Sequence, residues 1–141
     1  MKTKILIIAV FTVIGFNTLF SSIGVGYSPI QPLSTLTSVT ELTGNGIPNN
    51  YAIEQNYPNP FNPSTIIRYG LPYESNVKLE IYNITGRKVQ SVINKEQNAG
   101  YYQVDISFNN MASGIYFYVI DAKQINGEGK FREAKKMLLV K

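Results

Sequence analysis

Residues 77–83 read VKLEIYN, and their alternation decides the fold. Val77, Leu79 and Ile81 point one way while Lys78, Glu80 and Tyr82 point the other, the period of two that a half-buried strand requires. The next residues, NITGRK, form a turn in which Gly86 can take a positive φ, and KVQSVIN returns as a less regular strand that includes Val89. Residues 101–107 alternate again, with Tyr102, Val104 and Ile106 on one face and Tyr101, Gln103 and Asp105 on the other.

Working outward, GIYFYVID from Gly114 is apolar on both faces, which predicts a central strand between the core and a covering layer. INGEGK makes a glycine-rich loop, and FREAKKMLLVK reads as the last strand, since its apolar tail has no helix cap. Short strands near Tyr51 to Gln55 and at Thr65 to Tyr69 bring the count to seven. Seven short strands separated by turn signals, with no convincing helix and no cysteine pair, predict an all-β, antiparallel, immunoglobulin-like sandwich.

Between the first two of these strands lies EQNYPNPFNPST, residues 54–65. Each proline fixes its own φ, lacks an N–H and pushes the preceding residue into extended geometry, so this segment is neither helix nor central strand. It suits a chain that crosses between sheets, or that runs along an edge and discourages edge-to-edge pairing.

Upstream, the sequence changes character. Lys2 and Lys4 precede an uncharged apolar run from Ile5 to Phe16, followed by Ser21, Ser22, Gly24 and Gly26, the layout of a secretory signal peptide over residues 1–26. The run is short for a membrane span of roughly 20 residues. An uncleaved anchor is the alternative, because no clean Ala-x-Ala pattern marks a cut, which would fall between Ser22 and Tyr27. Residues 27–50 are rich in Ser, Thr, Pro, Gly and Asn and read as a flexible linker, with a stray strand the alternative over Leu33 to Leu42. The folded domain is then expected over residues 51–141, about 90 residues and enough for one small domain.

Composition narrows the chemistry. Losing Lys2 and Lys4 with the signal leaves eleven basic residues against nine acidic ones, too even a balance for a nucleic-acid footprint. Histidine and cysteine are absent, which removes Ser-His and Cys-His nucleophiles, thiolate zinc sites and imidazole ligands together. An exported domain without cysteine must also hold itself by core packing. Asp105 and Asp121 are the carboxylates nearest the strand pattern, and both read as sheet-surface charges; Asp105, Asn109 and Asn110 lack the spacing of a calcium loop. No catalytic residue, cofactor or metal is expected. Asn83-Ile84-Thr85 matches a glycosylation acceptor but sits in a tight turn. Tyr116 and Tyr118 alternate against Phe117, so one face of that strand is phenolic; rings filling a thin core explain this better than a sugar platform, and tryptophan is absent.

QNYPNPFNPST, VKLEIYNITGRKVQSVIN, NAGYYQV, MASGIYFYVI and KKMLLVK, in this order, resemble the type A C-terminal sorting domain of the type IX secretion system, over Ile53 to Lys141. The residues that carry the motif are Asn56, Pro58, Asn59, Pro60, Phe61, Asn62, Pro63, Gly86 and Gly100. The resemblance implies a seven-stranded immunoglobulin-like export label. Its bearer would reach the periplasm through the general secretory machinery and be recognised by the outer-membrane translocon, ending secreted or on the outer-membrane surface. A sortase-like surface protease would cut the label away and join the cargo to surface lipopolysaccharide. Carried over by position, recognition falls on the strands from Gly114 to Asp121 and Ala134 to Lys141, with Gly114, Tyr116, Tyr118, Lys135, Lys136 and Lys141 as candidates. For the lysines the plainer reading is that they keep a strand end soluble. The family's aromatic and acidic pair is replaced here by SFNN, residues 107–110. With only residues 27–50 ahead of the label, the chain reads as a minimal exported carrier or the remnant of a truncated gene. A stand-alone binding module, of carbohydrate-binding type, is the alternative function.

Overall fold

A computed structural model describes residues 37–141; the expected signal peptide and the linker as far as residue 36 lie outside the described residues. The strands are β1 (Thr37–Glu41), β2 (Ala52–Ile53), β3 (Ser64–Leu71), β4 (Ser75–Asn83), β5 (Lys88–Gln97), β6 (Gly100–Ser107), β7 (Gly114–Gln124) and β8 (Lys130–Leu139). They form two antiparallel four-stranded sheets, β1-β6-β3-β2 and β5-β4-β7-β8, and the described residues contain no helix. The chain changes sheet between β3 and β4, between β5 and β6 and between β6 and β7, so sequence neighbours face each other across the core as in an immunoglobulin-like sandwich.

The core is made by the alternation already visible in the sequence. Val77, Leu79 and Ile81 of β4 meet Tyr102, Val104 and Ile106 of β6 in one buried cluster, joined by Ile67, Tyr69 and Leu71 of β3 and by Met137 and Leu139 of β8. The irregular reading of β5 has a physical origin in two register shifts against β4, after Leu79 and after Ile81, which leave Val92 and Val89 without a direct partner. The β4–β5 hairpin closes on Asn83, whose side-chain oxygen accepts from Thr85 N at 3.1 Å, Thr85 Oγ1 at 2.7 Å and Arg87 N at 2.9 Å, while Gly86 takes φ 77°. The glycosylation-like triplet is thus engaged as turn chemistry.

Two expectations need correction. The described residues hold eight strands, not seven: Thr37–Glu41, inside the stretch read as linker and within the alternative strand at Leu33 to Leu42, pairs along its whole length with β6, from Thr37 opposite Ile106 to Glu41 opposite Tyr102. Backbone pairing rather than side-chain burial holds it, since Val39 is its one large apolar side chain. Secondly, β7 is central as expected, but no described element covers its outer face. Phe117 and Val119 are half-buried there and Ile115 is exposed.

Candidate recognition surface

Residues 55–63 leave sheet one and reach β8 of sheet two. The amide of Asn56 is buried, donating to Pro58 O at 3.0 Å and Thr65 Oγ1 at 2.9 Å, while its Oδ1 accepts from Gln55 Nε2 at 2.7 Å. The Tyr57–Pro58 and Asn59–Pro60 bonds are cis. Gln55 Nε2 also donates to Lys136 O, Asn59 Oδ1 accepts from Leu138 N at 3.0 Å, and the Phe61 backbone donates to Leu138 O at 2.9 Å and accepts from Val140 N at 3.0 Å. The proline segment therefore both crosses between sheets and covers the outer edge of β8 from Lys136 to Val140. Its anchor is Phe61, buried and 5.3 Å from the Phe108 ring, which in turn lies 5.7 Å from Tyr116. Pro58, Asn59, Pro60 and Asn62 are exposed along this crossing and Pro63 is half-buried, its carbonyl accepting from Phe108 N.

The candidate residues of β7 and β8 do not all reach the surface. Gly114 opens β7 opposite Leu139, and Gly100 likewise opens β6 opposite Leu71. Tyr116 and Tyr118 lie in the core, because the face of β7 that carries them turns inward. Each satisfies its hydroxyl on backbone: Tyr116 donates to Ala112 O at 2.8 Å, and Tyr118 donates to Glu54 O at 2.8 Å and accepts from Asn56 N at 2.9 Å. Burial pushes the Tyr118 phenol up to about 12.

The three lysines do not form one patch either. Lys135 follows the inward row of β8 and pairs with Glu133 at 2.8 Å, Lys136 lies on the outward row opposite Phe117, and Lys141 donates through Nζ to Asn109 O at 2.7 Å. What the strands do assemble is the outer face of sheet two. Register places Ile115 beside Leu138, Phe117 between Tyr82 and Lys136, and Val119 between Glu80 and Ala134. By the same alternation Lys78, Lys88, Lys123, Lys130, Arg132 and Lys136 share this face with three acids, Glu80, Glu96 and Asp121. Two of the acids are engaged within the face: Glu80 with Lys88 at 3.0 Å and Tyr82 Oη at 2.7 Å, Asp121 with Arg132 at 3.9 Å. The Tyr82 hydroxyl, with Lys88 beside it, holds the Glu80 carboxyl below the usual carboxylate range. A chain of nearly balanced charge thus gathers a basic, partly apolar face on one sheet.

Sequence reasoning missed Phe117, Ile115 and Leu138 as surface residues, because a strand apolar on both faces gives no contrast to orient it. It also missed Phe108, a lone apolar residue in SFNN that proves fully buried. On the outside of sheet one a cavity of about 610 Å³ is lined by Leu42, Asn45, Glu54, Arg68 and Tyr101 among others. Among the described residues no group of three or more acidic side chains is placed to hold a metal.

Compared with known proteins, residues 55–131, just over half of the chain, match the family model of a secretion system C-terminal sorting domain. No curated protein matches the chain.

Proposed function

The chain belongs to the secretion system C-terminal sorting domain family, whose role is to sort proteins for secretion, and from that premise we propose how this domain is used. It is a non-catalytic label of the type IX system. The general secretory machinery delivers it to the periplasm, and the outer-membrane translocon then recognises the folded sandwich through the outer face of β7 and β8. After transfer a sortase-like surface protease removes the label, with attachment of the remainder to surface lipopolysaccharide.

One observation carries the recognition step. Ile115 is exposed and Phe117, Val119 and Leu138 are half-buried in the middle of a sheet face whose charged residues are six basic and three acidic. Such a face supplies apolar contact area together with complementarity to an acidic partner, which speeds encounter and rejects wrong partners.

The test is a fusion of residues 27–141 behind a signal peptide and a fluorescent reporter, expressed with and without a working type IX system and then fractionated. Surface or medium delivery that needs the system supports the reading; a periplasmic reporter in both strains overturns it. The cavity beside Tyr101 and Arg68 favours a second reading, a carbohydrate-binding module, which glycan binding lost in Tyr101→Ala would support.

A further inference from the structure

The two halves of β8 differ at their free edge. From the carbonyl of Lys136 to the N–H of Val140 the outward backbone groups are taken by Gln55, Asn59 and Phe61. In an antiparallel pair each residue turns both its N–H and its C=O to the same side, alternately toward and away from the partner strand. Lys136 and Leu138 face away from β7, so Arg132 and Ala134 do too, and among the described residues nothing bonds their four backbone groups. The opposing sheet does not close over this stretch, since its edge strand β2 is two residues long. Inside the edge lies an aromatic floor, with Phe131 stacked on Tyr51 at 5.5 Å and Tyr51 against Tyr73 at 6.4 Å.

The other edges are shorter or less regular. β1 is five residues long, β2 is two, and β5 carries the two register shifts that twist an edge away from pairing. The open half of β8 pairs regularly with β7, without the shifts of β5, and exceeds β1 and β2 in length. Its charges set what can join it. Residues 130–136, KFREAKK, carry four cations and one acid. A second copy of the same edge would bring like charge against like, whereas an acidic extended segment meets complementary charge at Lys130, Arg132 and Lys136.

We propose that the free edge of β8 from Lys130 to Lys135 receives an acidic, extended segment of the recognition partner as an added strand. Main-chain bonds to Arg132 and Ala134 give the affinity, and alternate side chains read the basic outer row and the Tyr51–Phe131 floor. The covered stretch beyond Lys136 limits the added strand to about six residues, roughly 20 Å. This inference rests on the reading of β7 and β8 as the recognition surface and adds to it the chemistry of the partner.

The probe is a blocked seven-residue peptide of alternating glutamate and valine, with a control in which lysine replaces glutamate. Added to the full chain, the acidic peptide is expected to bind at least tenfold tighter than the basic one and to slow amide exchange at Arg132 and Ala134 at least tenfold. Ala134→Pro removes one outward N–H at an edge position where proline is tolerated, and is expected to lose at least tenfold in binding. Should that variant fold poorly, K130E/K136E reverses the charge preference without touching the backbone, and is expected to favour the basic peptide. Equal binding of both peptides, protection confined to other residues, or self-association that protects these amides without peptide would each overturn the proposal. The reporter assay separates this from the sorting reading. Peptide binding lost in Ala134→Pro with export intact overturns strand addition and leaves the sorting role standing. Failure of the unaltered label to be exported overturns the sorting role, whatever the peptide does.

Discussion

The hydroxyl of Tyr118 accepts the backbone N–H of Asn56 at 2.9 Å, from a residue 62 positions away along the chain. The same hydroxyl donates to Glu54 O at 2.8 Å, so one side chain at the centre of β7 fixes both sides of the entry to the proline segment. Tyr118→Phe keeps the ring and leaves a buried N–H and a carbonyl without their partner, at about 1–3 kcal/mol. The expected result is a lower urea midpoint with an unchanged slope, together with faster amide exchange at Asn56 than at the core residues of β4. A midpoint equal to that of the unaltered chain would show that water replaces the hydroxyl there.

Alkaline pH should weaken the domain through the same residue. Folded, Tyr118 keeps its proton up to about pH 12; unfolded, a tyrosine releases it near pH 10. Above about pH 10 the unfolded chain therefore holds fewer protons than the folded one, and stability falls as pH rises. Below that value the contribution is complete. Burial pushes the Tyr69 phenol up as well, which adds to the loss in the same direction. Urea midpoints taken at a series of pH values should be level to about pH 9.5 and then decline. The decline should be shallower in Tyr118→Phe and Tyr69→Phe, and an equal slope in those variants would assign the loss to other groups.

What was legible in the sequence follows the contrast available along each strand. Val77, Leu79 and Ile81 stand against charged neighbours, and β4 was placed from them with its correct inner face. β7 offers no such contrast: with apolar residues on both sides, its direction is decided by where the Tyr116 and Tyr118 hydroxyls find backbone acceptors, one of them at residue 54. β1 was weakly marked for a different reason. Its residues are mostly small and polar, and what holds it is the ladder to β6, which lies more than 60 positions downstream. The candidate site suffered most, since Lys135 and Lys136 are neighbours in sequence and lie on opposite faces of β8. The proline segment reads as crossing or edge-covering, and it does both because Phe61 is buried while its backbone pairs with β8.

Phe61→Ala should therefore act on two levels. The cavity left beside Phe108 and Leu139 costs about 3–5 kcal/mol of stability. It also loosens the segment that covers Leu138, lengthening the open edge of β8 toward the C-terminus. The expected outcome is a lowered melting temperature together with concentration-dependent association, measured by light scattering, since a longer unprotected edge invites pairing. A destabilised variant that stays monomeric at high concentration would show that the cover on β8 does not depend on this ring.

Removing the last strand is a poor test of recognition, because Met137 and Leu139 are buried and a deletion from Lys135 onward empties the core. Substitutions on the outer row separate the two effects. Lys136→Glu with Phe117→Ser replaces one half-buried and one exposed side chain that lie opposite each other across β7 and β8, leaving the inward row intact. The expected stability loss is about 1 kcal/mol, far too little to unfold a domain stable by roughly 5–15 kcal/mol. If the translocon reads the outer face of sheet two, the reporter bearing this pair should accumulate in the periplasm several-fold over the unaltered label. A control pair on the outside of sheet one, Arg68→Glu with Gln103→Ser, changes charge where Arg68 Nε bonds Gln103 Oε1 and should leave delivery unchanged. Equal delivery of both pairs would move recognition away from β7 and β8, and loss of delivery in both would point to a general need for stability instead of a surface that is read.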